Sequence, residues 1–277
     1  MDFSENIANW AAKESSVQGV ILIGSRVRAE EDAVWRADLQ SDWDFQIITS
    51  KPKMFLDSAW AVELGLKVCT YTTRQATLGA VPKVAVVFDG SEADFVILPS
   101  LQLRVLRLSI ALGLQRRSAW LRSLLQALAI VIRPGWKFIK GASAWEPFYR
   151  RVIAEVPDPR VNDYEACALA DGFVCDTIWT WRKIDRGELI AAQRMLYRSL
   201  AETNFRLLHE LKLRRGERSF PEARRIERVA SQAELTGVSI ESRLDPRALR
   251  EAVEKSGVTL QQLMKALVND AWHWPRP

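Results

Sequence analysis

Hydrophobic and polar positions change their spacing along the chain. Over the first hundred residues, short apolar runs rich in β-branched residues are separated by polar turns, a pattern typical of buried strands. From about residue 101 the apolar positions recur every three or four residues, which indicates amphipathic helices, except for a β-branched run at 129–133. The sequence therefore predicts a region that contains a sheet, followed by a helical region.

The pattern predicts two helices before residue 101, and a sheet of six strands whose last strand lies within the helical part. The helices are expected at 1–16 and around 54–64, and the strands at 19–23, 43–48, 67–72, 84–88, 94–98 and 129–133. Asp89-Gly90-Ser91 is a strong turn signal, so it is expected to join the fourth and fifth strands.

The second region predicts a helical bundle. A leucine-rich stripe from 189 to 211 indicates a long helix, and Gly257 is expected to end a helix that begins at Asp245-Pro246. The predicted class is α+β, with a mixed sheet and flanking helices over residues 1–142 and a helical domain over 143–277.

Composition favours a soluble globular protein. Of the 277 residues, 48% are hydrophobic and 26% are charged, which suits a packed core. The three cysteines show no CxxC spacing, so we expect a reducing compartment rather than disulfides or a zinc site. The start does not have the pattern of a signal peptide, and the most apolar stretch, 124–132, is far shorter than the roughly 20 residues that span a membrane. We expect a cytoplasmic protein with no membrane partner.

Charge is distributed unevenly along the chain. Residues 1–100 carry 9 Lys and Arg against 14 Asp and Glu, a net charge of −5, and the remainder carries 30 against 20, a net charge of +10. One interpretation of the basic part is a set of solvated helix faces. The other is that it helps to hold a polyanion, either a triphosphate or a nucleic acid.

The first candidate for chemistry is Gly24-Ser25-Arg26, which directly follows a predicted strand. Glycine lets the backbone approach a phosphate closely, and exposed N–H groups at such a turn form an anion-binding nest. Taken alone this signal is weak, because Gly-Ser after a strand is commonly only a turn.

The second candidate is the pair Asp42 and Asp44. Residues i and i+2 of a strand point to the same face, so the two carboxylates project together while Trp43 and Phe45 project into packing. Two like charges side by side repel unless a cation lies between them, and carboxylate oxygens are the hard ligands that Mg²⁺ prefers. The alternative is a solvated strand end with two surface acids.

The third candidate is Asp94, which is expected to open an otherwise apolar strand. If this strand lies beside the strand at 43–48, Asp94 completes a triad of carboxylates. The alternative is a charge at a strand edge that faces water.

Together these features resemble the DNA polymerase β-like nucleotidyltransferase superfamily. Phe88-Asp-Gly-x-x-x-Asp94-x-x-x-x-Pro99, the Gly24-Ser-Arg turn and the run Trp181-Arg-Lys-Ile-Asp-Arg-Gly-Glu-Leu189 are similar to the aminoglycoside 6-adenylyltransferases, the streptomycin adenylyltransferase group. The resemblance covers most of residues 15–212. It implies a nucleotidyltransferase domain followed by a helical substrate-binding domain.

The resemblance also implies a reaction and a set of roles. AMP would pass from ATP, with Mg²⁺, to a hydroxyl of a small molecule such as an aminoglycoside. Gly24, Ser25 and Arg26 would hold the triphosphate, and Arg182 would touch phosphate from the helical domain. Asp42 and Asp44 would bind the metal ions, and Asp94 would be a metal ligand, the general base for the acceptor hydroxyl, or both.

Two departures from the family pattern leave the acceptor open. The segment 26–41 is longer than usual and contains Trp35, and the basic second half suits a polycationic aminoglycoside poorly. The alternatives are a nucleotidyltransferase that acts on tRNA or on a partner protein, and a catalytically silent relative that only binds nucleotide.

Overall fold

A six-stranded mixed sheet forms the centre of the first half of the protein. The structure, a computed structural model, describes residues 3–28, 37–38, 40–76 and 81–275. The strands are β1 Val17–Ile23, β2 Trp43–Thr49, β3 Val68–Gln75, β4 Pro82–Phe88, β5 Ser91–Pro99 and β6 Lys137–Lys140. Their order in the sheet is β3-β4-β5-β2-β1-β6. Neighbouring strands are antiparallel except for β2 and β5, which run parallel.

Helices cover both faces of this sheet. They are α1 Phe3–Lys13, α2 Ala59–Val62, α3 Ser100–Ala111, α4 Ala119–Ile132 and α5 Ala142–Glu155. Alternation along β2 separates two cores, because Phe45 and Ile47 pack with α1 on one face and Ile48 packs with α3, α4 and α5 on the other. Asp44 and Gln46 therefore belong to the face covered by α3, α4 and α5.

Two predictions about this half were wrong. Residues 129–132 end α4 instead of forming a strand, and the sixth strand is Lys137–Lys140. Ala129 and Ile132 continue the helical spacing of the buried positions Leu125 and Leu128. The β-branched residue types of this run favoured a strand because residue type alone does not show that spacing. The helix expected around 54–64 is a 3₁₀ turn, Pro52–Leu56, followed by the single turn α2.

The chain divides into two compact units, Met1–Pro159 and Arg160–Pro277. The division falls later than the predicted boundary at 142, so α5 belongs to the first unit. The second unit contains the helices α6 Asp163–Asp185, α7 Leu189–Met195, α8 Glu202–Arg214, α9 Gln232–Val238 and α10 Pro246–Val268, with a π-helical turn, Leu196–Ala201, between α7 and α8. The predicted α+β class, a mixed sheet with flanking helices and then a helical region, is confirmed.

The prediction that Gly257 ends a helix was wrong. Helix α10 runs through it without a break. Gly257 is buried within the helix, and a Cβ built there would be in ordinary van der Waals contact with the Trp274 ring, at 3.5 Å. Within the part of the chain that the structure describes, no helix has both the length and the apolarity that a membrane crossing requires.

A nearly buried carboxylate anchors the second unit. Glu210 of α8 accepts hydrogen bonds from Arg160, at 2.8–3.1 Å, from the Val161 N–H at 3.0 Å and from Arg214 at 3.0 Å. Burial alone would raise the pKa of Glu210, but these hydrogen bonds outweigh burial and lower the pKa to about 2. The pair of arginines thus ties the residues before α6 to α8.

Replacing Glu210 by glutamine is expected to lower the free energy of unfolding at pH 7 by about 3 kcal/mol, since the pKa difference between 4.5 and about 2 corresponds to that amount. A lowered pKa stabilises the fold above about pH 4.5, and the stabilisation is lost as the pH falls towards 2. Urea unfolding at pH 7 and at pH 3 measures both effects. Glu254→Gln, at an exposed position on α10, is the control and should change little. Equal stabilities of Glu210→Gln and the wild type at pH 7 would contradict the interpretation.

Candidate active site

The site begins at the turn after β1, where Gly24–Val27 forms one turn of 3₁₀ helix. Gly24 has φ +79°, a conformation that L side chains rarely adopt. A Cβ at this position would overlap Oδ2 of Asp44 and lie 3.1 Å from the Asp44 Cβ. Glycine is therefore required both by the backbone conformation and by the closeness of Asp44.

Strand β2 carries the central carboxylate. Asp44 lies opposite Ile23 of β1 on one side and opposite Asp94 of β5 on the other. Trp43 and Phe45 stack with ring centroids 6.0 Å apart and pack in the core of the opposite face. The predicted alternation of carboxylate and aromatic side chains between the two faces of this strand is therefore present in the structure. Asp42 directly precedes the strand.

The structure brings the three predicted acids together. Asp42, Asp44 and Asp94 each offer one carboxylate oxygen, and these oxygens lie within 4.8 Å of one another. Asp42 is exposed, whereas Asp44 and Asp94 are half-buried. Asp94 is the fourth residue of β5 rather than its first, and the parallel register with β2 places it beside Asp44.

The donor set suits a hard divalent cation. Oxygens bound to one Mg²⁺ at about 2.1 Å lie roughly 3 Å apart when adjacent and about 4 Å apart when opposite. One oxygen of each of the three carboxylates lies within 4.8 Å of the others, close to this spacing, and their mutual repulsion favours a cation between them. The residues present therefore fit Mg²⁺.

Arg26 supports the segment before β2. Its Nε donates to the Asp42 carbonyl oxygen at 3.0 Å, another guanidinium nitrogen donates to the Ser41 carbonyl, and the guanidinium lies 4.1 Å from the Trp43 ring centroid. These contacts fix the backbone from which Asp42 projects. A phosphate contact of Arg26, like that of Ser25 in the same turn, stays a prediction. Most of the long segment 26–41, including Trp35, lies outside the described residues.

Lys83 of β4 also lies at the site, although the sequence did not predict it. Its Nζ lies 2.5 Å from Oδ2 of Asp94. The turn at Asp89-Gly90 pairs Phe88 with Ser91, and that register places Ala85 opposite Asp94 with Lys83 two residues along the same face. The predicted turn, Asp89-Gly90-Ser91 followed by a strand from residue 94, implies a different register, so the sequence did not predict the position of this lysine.

Sequence reasoning also missed the residues that lie behind Asp44. Gln46 follows Asp44 on the same face of β2, is fully buried, and accepts a 2.7 Å hydrogen bond from the Tyr149 hydroxyl of α5. Burial raises the pKa of the Tyr149 hydroxyl far above its usual value, so this hydroxyl acts as a donor. Among the described residues, no partner accepts from the Gln46 amide nitrogen. The pair ties β2 to α5 beneath the carboxylates.

Tyr149→Phe is expected to lower the free energy of unfolding by about 1–3 kcal/mol, because the Gln46 carbonyl is left buried without a donor. Adding Gln46→Met removes the buried amide that has lost its donor, so the double variant should be more stable than Tyr149→Phe alone. Urea unfolding of the wild type, of Tyr149→Phe, of Gln46→Met and of the double variant measures the coupling. Independent, additive effects would show that the hydrogen bond does not hold β2 to α5.

Arg182, predicted to touch phosphate, is an exposed residue near the end of α6 in the second unit. The three carboxylates belong to the first unit. The role of Arg182 as a nucleotide ligand stays a prediction.

Neither a protein-family model nor a curated protein matches the chain. Solved structures that are similar to it include the following two. An aminoglycoside 6-adenyltransferase from Bacillus subtilis is 13% identical, with a TM-score of 0.41 over 99% of this chain and 94% of that chain. A nucleotidyltransferase-like protein from Exiguobacterium sibiricum 255-15 is also 13% identical, with a TM-score of 0.31 over 96% of this chain and 75% of that chain.

Proposed function

We propose that this protein is a Mg²⁺-dependent nucleotidyltransferase that transfers AMP from ATP to a hydroxyl group of a small molecule. The observation that carries the proposal is the convergence of Asp42, Asp44 and Asp94, with oxygens within 4.8 Å, beside a turn where only glycine fits. A carboxylate cluster next to a potential phosphate-binding turn is the arrangement that phosphoryl and nucleotidyl transfer requires.

Each part of the site has a task in this reaction. Asp42 and Asp44 would hold the metal ions, which when bound neutralise the charge that develops on the phosphate oxygens. Backbone N–H groups of the turn Gly24–Val27 would orient the triphosphate for in-line attack. The bond between the acceptor oxygen and the α-phosphorus forms as the bond to pyrophosphate breaks, and pyrophosphate leaves with the electron pair. The hydroxyl proton passes to a base, a role open to Asp94 in addition to metal binding.

An aminoglycoside is the first acceptor to test. This choice rests on the sequence motifs, together with the net charge of −5 in residues 1–100, which favours a polycation in the part of the chain that carries the carboxylates. Incubation with ATP, Mg²⁺ and a panel of aminoglycosides should release pyrophosphate and increase the mass of one panel member by one AMP. If no panel member is modified, the acceptor assignment fails.

A macromolecular acceptor, tRNA or a partner protein, is the second candidate. It is favoured by the net charge of +10 after residue 100. Labelled tRNA should then bind in a salt-sensitive manner and gain radioactivity from ATP labelled at the α-phosphate, whereas no binding at low salt would exclude the RNA version. A silent nucleotide-binding relative would bind ATP and release no pyrophosphate with any acceptor.

A further inference from the structure

The ammonium group of Lys83 contacts one carboxylate of the cluster formed by Asp42, Asp44 and Asp94. Lys83 Nζ is 2.5 Å from Oδ2 of Asp94, and the two side chains are 37% and 22% exposed. Asp94 Oδ2 thus has a cationic partner within the chain, in the cluster proposed to hold Mg²⁺. The guanidinium of Arg26, by contrast, is bound to backbone carbonyls.

We propose that Lys83 couples metal binding to nucleotide binding. Without metal, its ammonium neutralises Asp94. When a divalent cation takes its place among the three carboxylates, like charge drives the ammonium away from Asp94, and the triphosphate of the nucleotide becomes its new partner. This inference rests on the proposed function, because it needs both a metal and a triphosphate at the site.

Displacement follows from the geometry of the pair. A divalent cation between Asp44 and Asp94 would lie within a few ångströms of Nζ, where two positive charges repel strongly in a partly buried site. Lys83 is on an outer part of the sheet, with a flexible four-carbon stem and a partly exposed side chain, so its ammonium is free to swing without moving the backbone.

The new partner follows from what surrounds the carboxylates. The turn at Gly24 contacts Asp44, and Asp44 lies beside Asp94, so a triphosphate that extends from that turn across the carboxylates would approach the position from which the ammonium departs. Lysine is a common phosphate ligand because it acts as a compact point charge. Lys83 therefore opposes metal that arrives alone and favours metal that arrives with nucleotide.

Two equilibrium measurements test the coupling without any turnover. The first is the affinity for Mn²⁺ alone, read from the electron paramagnetic resonance of free Mn²⁺. The second is the affinity for α,β-methylene-ATP at saturating Mg²⁺, measured by calorimetry. Lys83→Met should bind Mn²⁺ alone about tenfold more tightly and the ATP analogue about tenfold more weakly, a coupling of ordinary size for linked sites.

Two further variants separate charge from structure. Lys83→Arg keeps the positive charge and should retain the weak Mn²⁺ affinity of the wild type. Lys53→Met removes an exposed lysine from the turn that follows the far end of β2 and should change neither affinity. Circular dichroism verifies that each variant is folded.

The possible failures are distinguishable. If wild-type protein binds no Mn²⁺ even in the presence of α,β-methylene-ATP, or if Asp44→Asn binds Mn²⁺ equally well under that condition, the proposed function fails and the coupling fails with it. If wild-type protein binds Mn²⁺ through Asp44 but Lys83→Met binds Mn²⁺ no more tightly, the metal and the ammonium occupy separate oxygens and the inference alone is overturned.

Discussion

Asp44→Asn should lower kcat/KM for nucleotidyl transfer by about 10³-fold or more, because it removes the central charge that holds the metal ions. Asp44 is the carboxylate that touches the other parts of the site. It pairs with Asp94 across β2 and β5, and it lies against the glycine of the turn after β1. An asparagine of the same shape keeps the packing and loses the charge.

Pyrophosphate release and Mn²⁺ affinity are the measurements for Asp44→Asn, and both should fall together. Asp42→Asn is also expected to lower both pyrophosphate release and Mn²⁺ affinity. The matched control is Asp89→Asn, an identical change at an exposed residue in the turn between β4 and β5, which should leave activity unchanged. A folded Asp44→Asn protein with wild-type turnover would show that the carboxylate cluster is not the catalytic site.

Gly24→Ala is the second change with a large expected effect. The added Cβ meets the Asp44 carboxylate, and the residue must keep φ +79°, so either the turn or Asp44 has to move. We expect a loss of about 1–3 kcal/mol in the free energy of unfolding. Activity should fall by about 10²-fold or more in the protein that remains folded, because small displacements of catalytic groups have effects of this size.

Two other glycines serve as controls for Gly24→Ala. Gly90 has φ +87° and nothing within 4 Å of a Cβ, so Gly90→Ala reports backbone strain alone. Gly141 has φ +81°, and its Cβ would overlap the Gln18 carbonyl oxygen, so Gly141→Ala reports a clash away from the carboxylates. Both should lose stability and keep their activity per folded molecule. Equal losses of activity in all three variants would mean that the closeness of Gly24 to Asp44 has no special importance.

The sequence was sufficient where the structure depends on local pattern. Alternation in Trp43-Asp44-Phe45 places the aromatic rings and the carboxylate on opposite faces, and the structure has that arrangement. The turn signal at Asp89-Gly90 predicts that β4 is joined to β5 by a tight turn, and the structure has that connection. These relationships involve neighbours in the chain, so turn chemistry and strand period determine them.

Other features depend on contacts between distant residues. The parallel pairing of β2 with β5 joins segments separated by β3 and β4, and only that pairing places Asp94 beside Asp44. The apolar residues at 129–132 are compatible with a buried strand and with a buried helix. Their packing in the core against the sheet, which involves distant residues, favours the helix. Arg26 donates to backbone carbonyl groups, and because every residue has a carbonyl group, the sequence does not predict which ones it binds.

A crystal structure of the protein with α,β-methylene-ATP and Mn²⁺, with the metal located by its anomalous scattering, would show directly whether the three carboxylates bind the metal. We expect an anomalous peak coordinated directly by Asp42, Asp44 and Asp94, with the triphosphate on the turn at Gly24. Metal or triphosphate bound at other residues, with the three carboxylates free of metal, would contradict this expectation.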